Sequence, residues 1–361
     1  MKGKPIAVDL FCGVGGLSEG LQSAGFNVAV AVDFNHAAAL TYQANHKETK
    51  FIEDDIAGLE VENFLKRTEL TCSDIDLVAG GPPCQGFSMA NGRTRTRDNP
   101  NNQLVHQFVR YVREIQPPVF LMENVLGFTW IDKGNFLREL KESFIAMGYA
   151  IKVVTLNAAD FGVPQRRIRV FLIGSRNGSE FKEPRKTHGP ETSRPYVTVR
   201  EAIIGDLPQI KEAPGYQICD YIAEPKSEYQ EKIRSKAKKV HNHIITRNSE
   251  EVRERKSFVP QGGNWKDLPP EQCQIKVVLS CVYRRLDPDQ PSVTVSNYRK
   301  SMIIHPLEHR GLSVREAARI QSFRDNYKFW SSLHLMQQQV GDAVPPLLAK
   351  RVGKRLLEMV N

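Results

Sequence analysis

Ile6-Ala-Val-Asp9-Leu10-Phe11-Cys12-Gly13-Val-Gly15-Gly16-Leu17-Ser18 is an apolar run that breaks into a glycine-rich turn and passes at once into a helix-like stretch ending near Ala24. Glycines at a strand-to-helix turn let a ligand approach the backbone beside a helix N-terminus. The same rhythm continues with Val28 to Val32 and His36 to Ala44, Ile75 to Ala79, the amphipathic Leu104 to Ile115, the buried run Val119 to Met122, Phe136 to Met147 and Ile151 to Leu156. Strand and helix periods in alternation predict an α/β fold, a doubly wound, mostly parallel, Rossmann-like sheet with helices on both faces. Ligands of such sheets bind beyond the carboxyl ends of the strands, so the strand ends are where chemistry belongs.

After Ile173-Gly174 the rhythm gives way to a polar, Lys- and Arg-rich stretch with little periodicity that reaches Pro269-Pro270. This predicts a main domain over 1–185, completed by 331–361, and a smaller second domain over 186–330. Charge follows the same division. The 361 residues carry 50 Lys+Arg against 41 Asp+Glu, a formal +9. Of these, 186–330 holds 25 basic and 18 acidic residues and the remainder 25 and 23. A regional excess is what a polyanion-contacting segment on a near-neutral scaffold produces. With 25% charged and 40% hydrophobic residues, disorder as the main state is excluded. Cys12, Cys72, Cys84, Cys219, Cys273 and Cys281 form no CxxC pair and no cluster, so neither a metal site nor a disulfide scaffold is indicated. No signal-peptide pattern opens the chain, and no run approaches the roughly 20 apolar residues that span a bilayer. The expectation is a cytoplasmic protein.

Candidate chemistry lies at the strand ends. Asp33 closes the second strand, placed for ribose hydroxyls, and Asp54-Asp55-Ile56 follows a third strand-like stretch. With the first turn, which departs from GxGxxG, these acids suggest a nucleoside-bearing cofactor; singly, each equally fits a plain turn or a solvated loop. Directly after Ile75 to Ala79 comes Gly80-Gly81-Pro82-Pro83-Cys84-Gln85-Gly86-Phe87-Ser88. A cysteine at a sheet's carboxyl edge, stiffened by two prolines before it and freed by glycine after it, is placed to act as a nucleophile. Arg93, Arg95 and Arg97 follow on a polar stretch suited to a phosphate backbone. Glu123 puts a carboxylate at the same edge, where a semi-buried acid can donate a proton. Gln165-Arg166-Arg167-Ile168-Arg169 presents arginines suited to anion or carbonyl recognition.

In this order the blocks resemble the C5-cytosine DNA methyltransferases of the bacterial modification type. Arg315 to Phe323 and Gln339 to Pro346 extend the resemblance, which covers nearly the whole chain outside roughly 186 to 280. Pro-Pro-Cys-Gln together with Glu-Asn-Val is its most specific part. Two departures stand out: Asp342 where the family more often has Asn, and Arg324 where it often has Pro. The resemblance implies an S-adenosylmethionine-dependent fold with a target-recognition domain, and methyl transfer to C5 of a flipped-out cytosine in a specific duplex sequence. Cys84 would add to C6, Glu123 would serve N3, and Arg167 and Arg169 would hold O2 or orient Glu123. The cofactor, S-adenosyl-L-methionine, leaving as S-adenosyl-L-homocysteine, would lie on Asp9, Phe11, Gly13, Gly15, Gly16, Leu17, Asp33, Phe34, Asp55, Ile56, Pro82, Asp342, Ala343 and Val344, with no metal. Double-stranded DNA would meet Gln85, Ser88, Arg93, Arg95, Arg97, Arg284, Arg285, Tyr298 and Arg299. The implied setting is a monomer in a restriction-modification system, with a cognate endonuclease acting on the same site. Two competing readings are a tRNA substrate, although the Cys-Phe-Thr element of that branch is absent, and a catalytically silent DNA-binding partner, although Cys84, Glu123, Arg167 and Arg169 are all present.

Overall fold

The structure, a computed structural model, describes residues 3–83, 100–273, 282–296, 298 and 302–360. Cys84, Gln85, Ser88, Arg93, Arg95, Arg97 and Arg299 lie outside the described residues. The chain forms two compact units, one of Met1–Asn157, Ile168–Arg185 and Leu348–Asn361, the other of Ala158–Arg167 and Lys186–Leu347. Relative to the expected boundaries, the second unit therefore also takes 158–167 and 331–347.

The first unit runs β1 (Ile6–Leu10), α1 (Gly16–Ala24), β2 (Asn27–Asp33), α2 (His36–Asn45), β3 (Lys50–Glu53), α3 (Val61–Thr68), β4 (Leu77–Gly80), α4 (Pro100–Ile115), β5 (Val119–Val125), α5 (Asn135–Ala146), β6 (Ala150–Asn157) and β7 (Ile168–Ser175). Its seven strands stand in the order β3-β2-β1-β4-β5-β7-β6. The first five are parallel, and β7 is antiparallel to both of its neighbours. Because β2 and β3 build outward on one side of β1, and β4 and β5 on the other, the winding reverses between β1 and β4. Such a switch point opens a crevice at the carboxyl ends. Here those ends carry the Phe11 to Gly16 turn and Gly80 to Pro83. Every described residue of β4 is buried, as expected of a strand covered on both faces.

Aromatic side chains fill the space between sheet and helices: Phe64, Phe108, Tyr111, Phe120 and Phe144 are fully buried, and the Phe120 and Phe144 rings sit 4.2 Å apart. A Cβ on Gly174 would fall 2.0 Å from Phe120, so only glycine lets β7 lie over that ring. The C-terminal helix Pro346–Val360 lies against α1. A Cβ on Gly20 would come within 2.2 Å of Ala349, and one on Gly353 within 2.9 Å of Ala24.

The second unit is more ordered than its weak periodicity implies. Strands β8 (Gly215–Cys219) and β9 (Val240–Ile244) form an antiparallel ribbon. Helices α6 (Val199–Ile203), α7 (Glu228–Arg234), α8 (Glu250–Ser257), α9 (Val314–Ile320) and α10 (Leu333–Asp342) accompany it. Side-chain caps begin four of these: Thr198 and Ser313 make capping boxes with Glu201 and Glu316, and Ser227 and Ser249 accept from Gln230 and Val252. The basic run Lys232 to Lys239 is helical only to Arg234. Charge rather than hydrocarbon holds part of this core. Arg319, fully buried, grips Asp206 and Asp325 with Nη–O distances of 2.7 to 2.8 Å. No helix among the described residues is long and apolar enough to cross a membrane.

Candidate active site

The first turn is shaped by residues that favour or tolerate positive φ. Phe11, Gly13 and Gly15 have φ of 58°, 53° and 85°. The Gly13 amide donates to Asp33 Oδ2 at 2.8 Å, and Asn35 donates to Oδ1 at 2.9 Å. The acid at the end of β2 therefore braces the turn after β1. Its oxygens retain lone pairs for a further donor. Burial raises the Asp33 carboxyl above its ordinary range, opposed by its bonds from backbone amides. No Lys or Arg pairs with it or with Asp9 among the described residues.

Beneath the turn lies a network that sequence reasoning missed. Tyr42 donates its hydroxyl to Ser18 Oγ at 2.8 Å, and Ser18 donates to Asp9 Oδ2 at 2.5 Å. Asp9 Oδ1 is buried with no hydrogen-bond partner among the described residues. Desolvation, with Asp33 and Glu123 nearby in charge, pushes the Asp9 carboxyl up to about 7 against the bond from Ser18. The same burial drives the Cys12 thiol well above its ordinary range, which removes it as a competing nucleophile. The His46 and Tyr42 rings meet at a tilt, 4.4 Å apart, under Gly15, where a Cβ would fall 2.5 Å from His46 Nε2. Above Gly13 the space is open, since a Cβ there would meet nothing within 4 Å.

At the far side of the crevice, Phe34 exposes 64% of its surface beside Asp33. Asp55 is exposed and caps its own turn, accepting from the Ala57 amide at 2.9 Å, while Ile56 is buried. Arg110 of α4 secures this loop by donating to the carbonyls of Ile56 and Leu59. An open turn over glycine, two uncompensated carboxylates and a flat apolar ring fit a ligand that carries positive charge, hydroxyls and an aromatic base. S-adenosylmethionine is such a ligand.

The third element is a buried ion pair. Glu123 and Arg169, on paired strands β5 and β7, meet at 2.7 Å between Oε1 and Nε, with side chains about one-tenth exposed. Strand register explains the meeting: Val125 lies opposite Arg169 and Glu123 opposite Phe171, so Arg169 stands two positions along from Glu123. Arg169 also donates to the Ile168 carbonyl at 2.8 Å. A Cβ on Gly81 would sit 3.2 Å from Glu123 Oε2, which puts the carboxylate against the strand end leading to Cys84. Asn124 ties the same segment by donating to the Pro82 carbonyl at 3.1 Å. Within the Glu-Asn-Val block the asparagine therefore fastens β5 to the proline loop.

Three sequence expectations are redirected. Arg167, expected near the base with Arg169, is 1% exposed and donates to the carbonyls of Val295, Gly341 and Ala343 within the second unit. Two arginines two residues apart thus do different work: one pairs with Glu123, the other braces a loop. Arg285, expected on DNA, is buried and donates to the carbonyls of Val259, Lys256, His305 and Glu308. Tyr298 is likewise buried, at 2% exposure. Neither presents a surface for a duplex in this structure. Arg284 is half-buried. Asp342 is exposed at the end of α10, and Ala343 and Val344 follow it in the second unit. Gln165, not assigned a role from sequence, is completely buried and joins Gln321 and the Val295 amide. Among the described residues no group of three His, Cys, Asp or Glu is placed to hold a metal ion.

The profile of the family described as C-5 cytosine-specific DNA methylase matches residues 6–358. The Type II methyltransferase M.DdeI of Desulfomicrobium norvegicum is 35% identical over 97% of this chain and 88% of its own. The Type II methyltransferase M1.HphI of Haemophilus parahaemolyticus is 36% identical over 98% of this chain and 86% of its own. Among solved structures, a candidate DNA modification methyltransferase encoded within an E. coli prophage superposes with a TM-score of 0.81. It is 28% identical and covers 99% of both chains.

Proposed function

The chain belongs to the C-5 cytosine-specific DNA methylase family, and from that premise we propose which residues carry the reaction. It is a DNA (cytosine-5) methyltransferase of the S-adenosylmethionine-dependent class. C5 of cytosine is a poor nucleophile until a group adds to C6. The Cys84 thiolate makes that bond, and the electron density it brings into the ring is received at N3 and O2. Glu123 holds or protonates N3, and Arg169, paired with Glu123, fixes the carboxylate and reaches toward O2. Charge stabilisation of this kind contributes several kcal/mol in an enclosed site. S-adenosylmethionine, when bound, supplies the electrophilic methyl group. Asp9 and Asp33 offer carboxylate oxygens to its amino-acid and ribose ends, and Phe34, Asp55 and Ile56 take its adenine. A base takes the C5 proton, Glu123 recovers any proton it gave to N3, and departure of Cys84 as thiolate restores the aromatic ring.

A cytosine within a duplex hides both faces of C5 and C6, so the base leaves the stack at a cost of a few kcal/mol. The residues from Ser88 to Pro100 fill or clamp the gap in the opened duplex, and 186–330 reads the sequence. The Type II names of the relatives support a place in restriction-modification beside an endonuclease for the same site, in the cytoplasm, with a monomer sufficing for one flipped base. The observation that carries the mechanism is the buried Glu123–Arg169 pair beside the loop that leads to Cys84. Covalent trapping on duplex DNA carrying 5-fluorocytosine tests it. The wild type forms a denaturation-resistant adduct, and Cys84→Ser forms none while still binding S-adenosylhomocysteine. An adduct with Cys84→Ser removes Cys84 as the nucleophile, and active enzyme that traps nothing removes addition at C6.

A further inference from the structure

We infer that a cleft in the second unit, lined by Arg166, Arg284, Asp287 and Gln290, seats one phosphodiester of the DNA backbone. This rests on the proposed duplex substrate and assigns one of its contacts. The cleft has a volume of about 320 Å³, and Gly262, Leu286 and Pro291 to Val293 complete its walls. Two guanidinium groups line it, and neither is neutralised. Arg284 has no hydrogen bond or ion pair from its side chain among the described residues. Its neighbour Arg285 donates to four carbonyls in the buried interior. Adjacent arginines have thus been given opposite tasks, one structural and one left available.

Arg166 is set in place beforehand. Its amide donates to the Ser292 carbonyl at 2.8 Å, and its own carbonyl accepts from Thr294 Oγ1 at 2.8 Å. Its side chain lies over the Tyr196 ring at 5.7 Å and donates through Nη2 to Gln290 Oε1 at 3.2 Å. That bond orients the Gln290 amide while leaving its NH2 group free to donate. The remaining guanidinium N–H groups of Arg166 stay available. Asp287 is the single acid in the lining, and its Oδ1 already accepts the Asp289 amide. Asp289 itself is held by Arg200 through two bonds of 2.7 and 3.1 Å. The cleft is therefore rich in donors and poor in acceptors, with a net positive charge. Every base pair shows an amino donor in the major groove beside its acceptors, from adenine N6 or cytosine N4, whereas a phosphodiester only accepts. Phosphate is the better match, and two guanidiniums around one group suit its forked geometry.

The test is the salt dependence of binding. Each phosphate contact adds about 0.9 to the slope of log K against log salt. Full-length wild type, Arg166→Gln/Arg284→Gln and the charge-preserving Arg166→Lys/Arg284→Lys are titrated with cognate duplex in the presence of S-adenosylhomocysteine. The Gln pair should lose about 0.9 of slope, the Lys pair should keep it, and the methylated sequence should be the same for all three. Unchanged slope in the Gln pair, a loss near twice that size, or an altered target sequence each overturns the inference. If wild type methylates no cytosine in duplex DNA, the proposed function fails instead. S-adenosylhomocysteine affinity equal to wild type shows that the variants are folded.

Discussion

Replacing Asp9 by Asn should remove an alkaline loss of stability from the ligand-free protein while weakening its hold on the cofactor. Asp9 is completely buried, keeps one oxygen without a hydrogen bond, and has its carboxyl pushed from an ordinary 3.8 to about 7. The folded chain thus binds this proton more tightly than the unfolded chain does. That contribution to stability is whole below 3.8 and is lost as pH rises through about 7. Between about pH 5 and pH 8 the loss integrates to about 3 kcal/mol, or roughly 6–12 °C in melting temperature for a domain-sized unit. Asparagine cannot ionise, so its melting temperature should not follow that decline. The assay is calorimetric melting of both proteins without cofactor at several pH values, with S-adenosylhomocysteine affinity measured beside it. The difference between variant and wild type should move in favour of Asn as pH rises, whatever the baseline cost of the amide. A difference that stays constant from pH 5 to pH 8 refutes the reasoning. Cofactor affinity unchanged at pH 8 refutes the assignment of Asp9 to a cationic end of the ligand.

Gly15→Ala places a Cβ 2.5 Å from His46 Nε2 at a φ of 85°. Left-handed strain and overpacking together cost about 2–5 kcal/mol, and isothermal titration should show S-adenosylhomocysteine affinity falling at least tenfold. Glu123→Gln should lower the single-turnover methylation rate by about 10²–10³ with cofactor affinity near wild type; a rate within a few-fold of wild type would contradict its role at N3. Arg319→Met leaves Asp206 and Asp325 buried without their guanidinium, a loss of about 3–5 kcal/mol. Denaturant unfolding followed by a probe in the second unit should record it.

Much of the first unit is legible because both its helices and its strands repeat apolar residues at their own periods. Helix α3 escaped although Val61, Phe64 and Thr68 share one buried face. Its eight residues include three charged ones, Glu62, Lys66 and Arg67, and the buried stripe among them is too short to stand out by period alone. In the second unit the period fails for a physical reason: Arg315, Arg319, Glu316 and Asp325 are buried where hydrocarbon is expected, Arg315 and Arg319 paired with Asp325 and Glu316 with the buried Arg310. A pattern reader sees those residues as surface. The serine and threonine caps before α6 to α9 were the available signal. At the site, positions at strand ends could be read from motif order, whereas the separate tasks of Arg167 and Arg169, or of Arg284 and Arg285, could not. Each pair has the same chemistry in sequence, and only the neighbouring carbonyls and the Glu123 carboxylate distinguish its members.

The central claim is methyl transfer to C5 of cytosine in duplex DNA. Purified protein, S-adenosylmethionine with a labelled methyl group, and either duplex DNA or tRNA test it, with mass spectrometry of the released nucleosides and bisulfite sequencing of the DNA. The account predicts label in 5-methyldeoxycytidine, confined to one short sequence. Label in tRNA alone, label on an exocyclic amine, or no label at all would contradict it.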